Sequence, residues 1–169
     1  MDLGRLLSLI SEFGSCYHER ARLRFSRIEL CPIGVVRTSE LNVSKIVLRR
    51  NLVKGLKGIK AYSHLMVLFW MNQVSTERRS KLMVHPRGRR DIPLQGVFAT
   101  RTPNRPNPIG MTVVRLRSVW RNVLVVEGLD AFDGSQVLDI KPFARTDVGR
   151  VRLPKWWRLL QGAEPKTRS

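Results

Sequence analysis

The chain has 169 residues, enough for one domain with a real core and a small appendage. Apolar residues make up 43% of it, which excludes a disordered tail, and 31 Lys and Arg against 13 Asp and Glu leave a net charge of +18. That excess predicts an acidic partner, nucleic acid first among them, against the blander alternative of a solvated surface. Arginine supplies 23 of the 31 cations, and its planar fork suits phosphate and base edges.

In chain order, Leu3, Leu6, Leu7, Ile10, Phe13 and Tyr17 recur at steps of three and four, one face of an amphipathic helix. The apolar run LLSLI is too short for a secretory signal, and no stretch approaches a membrane span. Cys16 and Cys31 form no CxxC pair and stand beside no histidine pair, so no metal site is expected and a reduced, cytoplasmic setting fits. Residues 1–28 therefore read as a helical extension, 29–148 as the main domain and 149–169 as a short C-terminal segment.

From Glu29 the pattern is of short strands: Val35 to Arg37, Lys45 to Leu48, the apolar run LMVLFWM (Leu65 to Met71), Leu94 to Thr100, Thr112 to Trp120, Val123 to Leu129 and Val137 to Ile140. Arg121-Asn122 is a turn signal, and Asp133-Gly134 a hairpin signal. Residues 75–91 read as a polar, basic loop broken by Pro86 and Gly88. After Pro154, KWWRLL predicts a short terminal helix anchored by Trp156 and Trp157. Short strands with tight turns, and no βαβ alternation, predict a mainly β, single-domain small barrel or sandwich rather than a Rossmann fold.

Four constellations stand out. In GVFATRTPNRPNPIG (Gly96 to Gly110), prolines follow Thr102, Arg105 and Asn107, so the connection is extended and poor in backbone donors. Such a strap can line a cleft with free carbonyls and aim Arg101 or Arg105 at a carboxylate or phosphate; it can equally be an arch with solvated arginines. In LDAFDGSQVLDIKPF (Leu129 to Phe143), Asp139 and Lys141 share a strand face, and Asp130, Asp133 and Asp139 can converge on a pocket or decorate an exposed turn. Its spacing is wrong for a calcium loop. Tyr62-Ser63-His64 precedes the hydrophobic strand and Asn72-Gln73 ends it; the histidine can be a rim residue or a base, and the amides can recognise a polar ligand edge or form a turn. Finally, Arg78, Arg79, Lys81, Arg87, Arg89 and Arg90 crowd one loop, the best candidate for a phosphate-binding surface if it is not merely a solubilising one.

The arginine–proline strap closely resembles the signature of the TsaA-like (TrmO-type) family. SHLMVLFW resembles that family's SHLxxL strand, GLDAFDGSQVLDIKPF its D-x-x-D-G-T-P-x-x-D-I-K-P segment, and PIGVVRTSE its opening strand, all in the family's order over about residues 30–145. The resemblance implies a small β-barrel, working as a homodimer, that binds S-adenosyl-L-methionine and methylates N6 of threonylcarbamoyladenosine beside the anticodon of tRNA. It points to cofactor contacts at Asn72, Gln73, Arg105, Arg115, Asp133, Gly134, Ser135 and Gln136. Such a reaction needs a group to accept the N6 proton, for which Asp130 or Asp133 is the candidate; the loop arginines are expected to face RNA, and Arg101 the target nucleotide, the cofactor or the barrel rim. Two departures stand out: the Thr38 to Lys57 loop is shorter than in the better-known bacterial members, and DGTP is DGSQ here. The N-terminal helix lies outside the match and would serve dimerisation or RNA docking. A non-catalytic basic RNA-binding barrel and a methyltransferase of small molecules are the rival readings.

Overall fold

The computed structural model describes residues 28–38, 42–147 and 149–161. The helix expected over residues 1–28 lies outside them except for Ile28, as do Ser39, Glu40 and Leu41.

Eight strands follow one another: β1 (Gly34–Thr38), β2 (Val43–Leu48), β3 (His64–Trp70), β4 (Met83–Val84), β5 (Gln95–Gly96), β6 (Ile109–Trp120), β7 (Val123–Glu127) and β8 (Gln136–Pro142). Six of them close an antiparallel barrel in the order β1-β2-β7-β6-β3-β8, while β4 and β5 pair with each other. The expected mainly β barrel is thus the architecture found.

Alternation explains the barrel. On β3, Leu65, Val67 and Phe69 point inward, and on β7 Leu124 and Val126 do the same. With Val36, Ile46, Leu48, Val114 and Val137 they fill one buried cluster. Burying each such side chain stabilises the fold by roughly 1.5–3 kcal/mol. Gly110 on β6 is required by this packing, since a Cβ there would run into the Phe69 ring, which lies directly across the ladder.

Two local expectations fail. The segment Val97 to Thr100 is not a strand: Val97–Ala99 form a single 3₁₀ turn, which leaves Val97 1% and Phe98 80% exposed. That contrast has a period of two, as a strand would show, but the chain bends so that Thr100 N–H and its hydroxyl both donate to Val97 O. Asp133-Gly134 makes a turn, with Gly134 at φ 78° and Ser135 N–H donating to Phe132 O, but no hairpin. β8 pairs with β1 and β3 instead of β7, so the turn sends the chain across the barrel end rather than back along its neighbour.

The excursion between β3 and β6, residues 71–108, carries α1 (Thr76–Arg79) and the β4–β5 ladder, so the basic loop expected at 75–91 is partly structured. Its own small core is Val74, Ile92 and Val97, with Pro86 and Pro108 also buried. His85 Nδ1 lies 2.9 Å from Ile92 O; a carbonyl only accepts, so that nitrogen carries the proton. The predicted terminal helix is present as α2 (Lys155–Leu160).

Candidate functional site

Three of the segments singled out by sequence meet at one end of the barrel. Trp70, the last residue of β3, pairs with Ile109 at the start of β6 and with Gln136 at the start of β8. Met71 N–H then donates to Pro108 O at 2.8 Å, which ties the end of β3 to the end of the strap. A cleft of about 710 Å³ opens at this junction, lined by Trp70, Asn107, Ile109, Gln136 and Leu138, with Ile28, Leu30 and Pro32 along one side. Trp70 is held in place by Arg79, whose guanidinium carbon lies 5.3 Å from the centre of its ring while Nε donates to Val74 O.

Of the expected cofactor contacts, Gln136 lines this cleft, while Asn72 and Gln73, which follow Met71 in the chain, are exposed and are not among its lining residues. Arg115 does not join them. It pairs with His64 at the opposite end of β3, six rungs and about 20 Å of ladder from Trp70. Ser135 is only 1% exposed, and its carbonyl accepts from Val36 N–H, so it extends the β1 seam instead of facing a ligand. Gly134 N–H donates to Val36 O in the same seam.

The strap is not the donor-poor wall of free carbonyls that its prolines predict. Arg105 turns inward: Nε donates to Thr102 O at 2.9 Å, and Nη2 to Thr100 O at 2.7 Å and Val97 O at 3.0 Å. The carbonyls of Asn107 and Pro108 are taken by Ile109 and Met71 N–H. The half-buried guanidinium is therefore a staple that fixes the strap, with Nη1 outside these bonds. Prolines remove donors, and one arginine replaces them.

The acidic residues do not converge. Asp133 accepts from Thr38 N–H at 2.9 Å and pairs with Arg37 at 3.3 Å, so it clamps the end of β1. Asp139 pairs with Lys141 at 2.6 Å on the strand face they share. Asp130 is exposed in the connection between β7 and β8, and among the described residues no ion pair involves it.

Several loop arginines are likewise occupied. Arg87 and Arg89 donate to Leu160 O and Leu159 O, carbonyls of the last turn of α2, where cations are favoured. Arg89 also forks onto Asp91. Its hydrogen bond holds the Asp91 carboxyl below the usual range, and Asp91 in turn raises the Arg89 guanidinium. Arg101 stacks on Trp157 at 5.5 Å. Arg78, Arg90 and Lys81 are exposed, and none takes part in an ion pair among the described residues. Trp70 and Asn107 were missed by sequence reasoning. The signal was available: the one is the penultimate residue of the longest apolar run, just before the amides Asn72 and Gln73, and the other precedes the last proline of the strap.

Residues 20–147 match the model of the tRNA-methyltransferase O N-terminal domain. A Methanocaldococcus jannaschii protein named "Probable S-adenosyl-L-methionine-binding protein" is 40% identical over 116 residues, covering 68% of this chain and 91% of the relative. An Archaeoglobus fulgidus "S-adenosyl-L-methionine-binding protein" is 46% identical over 102 residues, 60% of this chain and 70% of the relative. The crystal structure of TrmO from P. aeruginosa superposes with a TM-score of 0.61 at 26% identity, over 79% of this chain and 63% of that one. A second TrmO crystal structure gives 0.58 at 30% identity, over 77% of this chain and 62% of that one. The chain thus spans somewhat less than two thirds of the length of these solved structures. On the extent of the match and the shared barrel, the chain belongs to the family of the tRNA-methyltransferase O N-terminal domain.

Proposed function

We propose that the chain is an S-adenosylmethionine-dependent methyltransferase acting on N6 of an adenosine, threonylcarbamoylated, beside the anticodon of tRNA. What supports this reading is one observation: the ends of β3 and the strap and the start of β8, which carry the family's motifs, share a single cleft around Trp70. The residues there fit the cofactor. Asn107 and Gln136 offer amide donors and acceptors to an adenine edge or a carboxylate, and Trp70, Ile109 and Leu138 offer apolar faces. The volume falls within the range of roughly 300–1,000 Å³ that small-ligand sites occupy.

When bound, the cofactor supplies a methyl group activated on a sulfonium. The protein's part is to position and to exclude water. Trp70 and the strap fix one wall, and Arg105, with Nη1 free of the staple, can meet a carboxylate without releasing its three carbonyls. Asp133 is engaged by Arg37 and Thr38, which leaves Asp130 to accept the N6 proton. Arg78 and Arg90, exposed on the excursion, face the phosphates. A second copy of the chain would cover the outer face of β3 and β6, where Met66 and Leu68 pair with the exposed Val113 and Met111.

The test is titration calorimetry with S-adenosylmethionine, followed by mass spectrometry of anticodon-loop nucleosides from cells with and without the gene. Binding and a lost N6-methyl nucleoside are expected. No heat at millimolar cofactor would end the enzyme reading, and an unchanged nucleoside pattern would end the choice of substrate.

A further inference from the structure

A second basic surface lies at the far end of the barrel from the cleft, in a part of the chain where no constellation of binding residues stands out in the sequence. Between Glu40 and Glu77 there is no acidic residue, while the connection from β2 to β3 carries Lys54, Lys57 and Lys60 at steps of three. That connection folds as two short 3₁₀ segments, Arg50–Leu56 and Ile59–Ala61. The two segments are joined by Lys57 and by Gly58 at φ 87°, and Lys54, Lys57 and Lys60 form a row along the border of one groove. Leu56 and Ile59 pack on the barrel core and anchor the row.

The opposite wall is the β6–β7 hairpin. Its tip is locked to the end of β2 by reciprocal bonds: Leu48 N–H donates to Asn122 O at 2.8 Å, and Asn122 Nδ2 donates to Leu48 O at 2.7 Å. At that tip Arg121, at φ 52°, lies 4.4 Å over the ring of Trp120, which is itself 66% exposed. Between the two walls runs a groove of about 470 Å³ lined by Lys54, Lys57, Lys60 and Arg121 over an apolar floor that includes Leu56 and Val119. None of these four cations takes part in an ion pair among the described residues.

We infer that this groove is a docking site for the phosphate backbone of RNA, separate from the cleft around Trp70. The inference rests on the reading of the chain as an RNA enzyme. Cations on two facing walls suit a polyanionic strand lying between them better than a flat lipid surface. The exposed indole at the rim offers a face for a base to stack on. The groove and the cleft are separated by the length of β3, about 20 Å, over which a nucleic-acid duplex carries on the order of ten phosphates. A single bound RNA arm therefore reaches both.

The experiment is filter binding of bulk tRNA at several KCl concentrations to the wild type, to the triple variant K54E/K57E/K60E and to R78E/R90E, with calorimetry of S-adenosylmethionine on each. The triple variant should lose affinity for tRNA at least tenfold at intermediate salt. Its slope of log affinity against log salt should flatten by roughly 2–3, and its cofactor heat should be unchanged. Arg121→Gln should flatten the slope by about 1. The inference is overturned if the triple variant, melting as the wild type does, keeps wild-type affinity and slope. It is also overturned if the wild type prefers phosphatidylserine vesicles to tRNA. A wild type with no salt-dependent tRNA binding removes the RNA reading as well, whereas loss confined to R78E/R90E removes only this groove.

Discussion

The barrel and the excursion between β3 and β6 are built on different principles from the same stretch of chain. The barrel is held by ladders and by inward apolar side chains such as Leu65, Val67, Val114 and Leu124, all 0% exposed. The excursion has only the two rungs of β4 and β5, and its loops are fastened by arginines donating to carbonyls: Arg79 to Val74, Arg87 and Arg89 to the end of α2, and Arg105 to three partners in the strap. Part of the charge excess that predicts an acidic partner is thus internal scaffolding. An arginine is able to do this because its planar group offers several donors in fixed directions, which no lysine can.

The contrast can be broken from the barrel side first. Leu65→Ala should cost about 2–5 kcal/mol and act globally, lowering the urea midpoint and the hydrogen-exchange protection of all six barrel strands together. Protection lost on β3 alone would show that the barrel is not one cooperative unit. Arg105→Ala comes next, at on the order of 2 kcal/mol, because the strap carbonyls it satisfies are half-buried. Its effect should stay local, with faster exchange over residues 97–105, barrel strands unchanged and weakened cofactor binding; Arg105→Lys should fail to rescue. Uniform loss of protection would merge the two regions into one. Trp70→Leu should leave the midpoint nearly untouched yet weaken S-adenosylmethionine binding about tenfold, or ~1.4 kcal/mol, as read by calorimetry.

The smallest effects concern the α2 latch. Arg87→Ala together with Arg89→Ala should loosen α2, shifting the fluorescence of Trp156 and Trp157 without changing the barrel melt. The Asp91 carboxyl is lowered in the folded protein by its hydrogen bond to Arg89. Its contribution is therefore present above the unfolded value of about 3.9 and is lost as pH falls through the still lower folded value. Asp91→Asn should abolish that acid-dependent part of the fluorescence change, because the contribution of the carboxylate is then already missing at neutral pH.

What the sequence disclosed and what it hid divide along the same line. The strands of the barrel were legible because their residues alternate: Val35 to Arg37, Lys45 to Leu48 and Leu65 to Trp70 all lie in strands. Segment 97–100 also alternates, yet it turns, because Val97 O gathers donors from Thr100 and from Arg105, eight residues on. No local window contains that competition. The Asp-Gly turn was legible as a turn, but its partner strand was not, since β8 finds β1 about a hundred residues away. The segments of the cleft were legible through their motifs. The roles of Arg105, Asp133 and the loop arginines were not, because composition does not distinguish a guanidinium facing solvent from one facing a carbonyl.

The β1–β8 seam has a consequence for how the molecule comes into being. It joins Gly34 to Val137 and Val35 to Gln136, one of the first strands of the domain to the last. Closing a loop of that length is entropically costly and, in contact-order terms, slow. On the ribosome, β1 emerges long before its partner and waits with one edge open, exposed to any extended chain nearby. Arg37, a charged residue on that edge strand, later receives Asp133. The residue that clamps the finished barrel is also placed to discourage the nascent edge from pairing with the wrong strand.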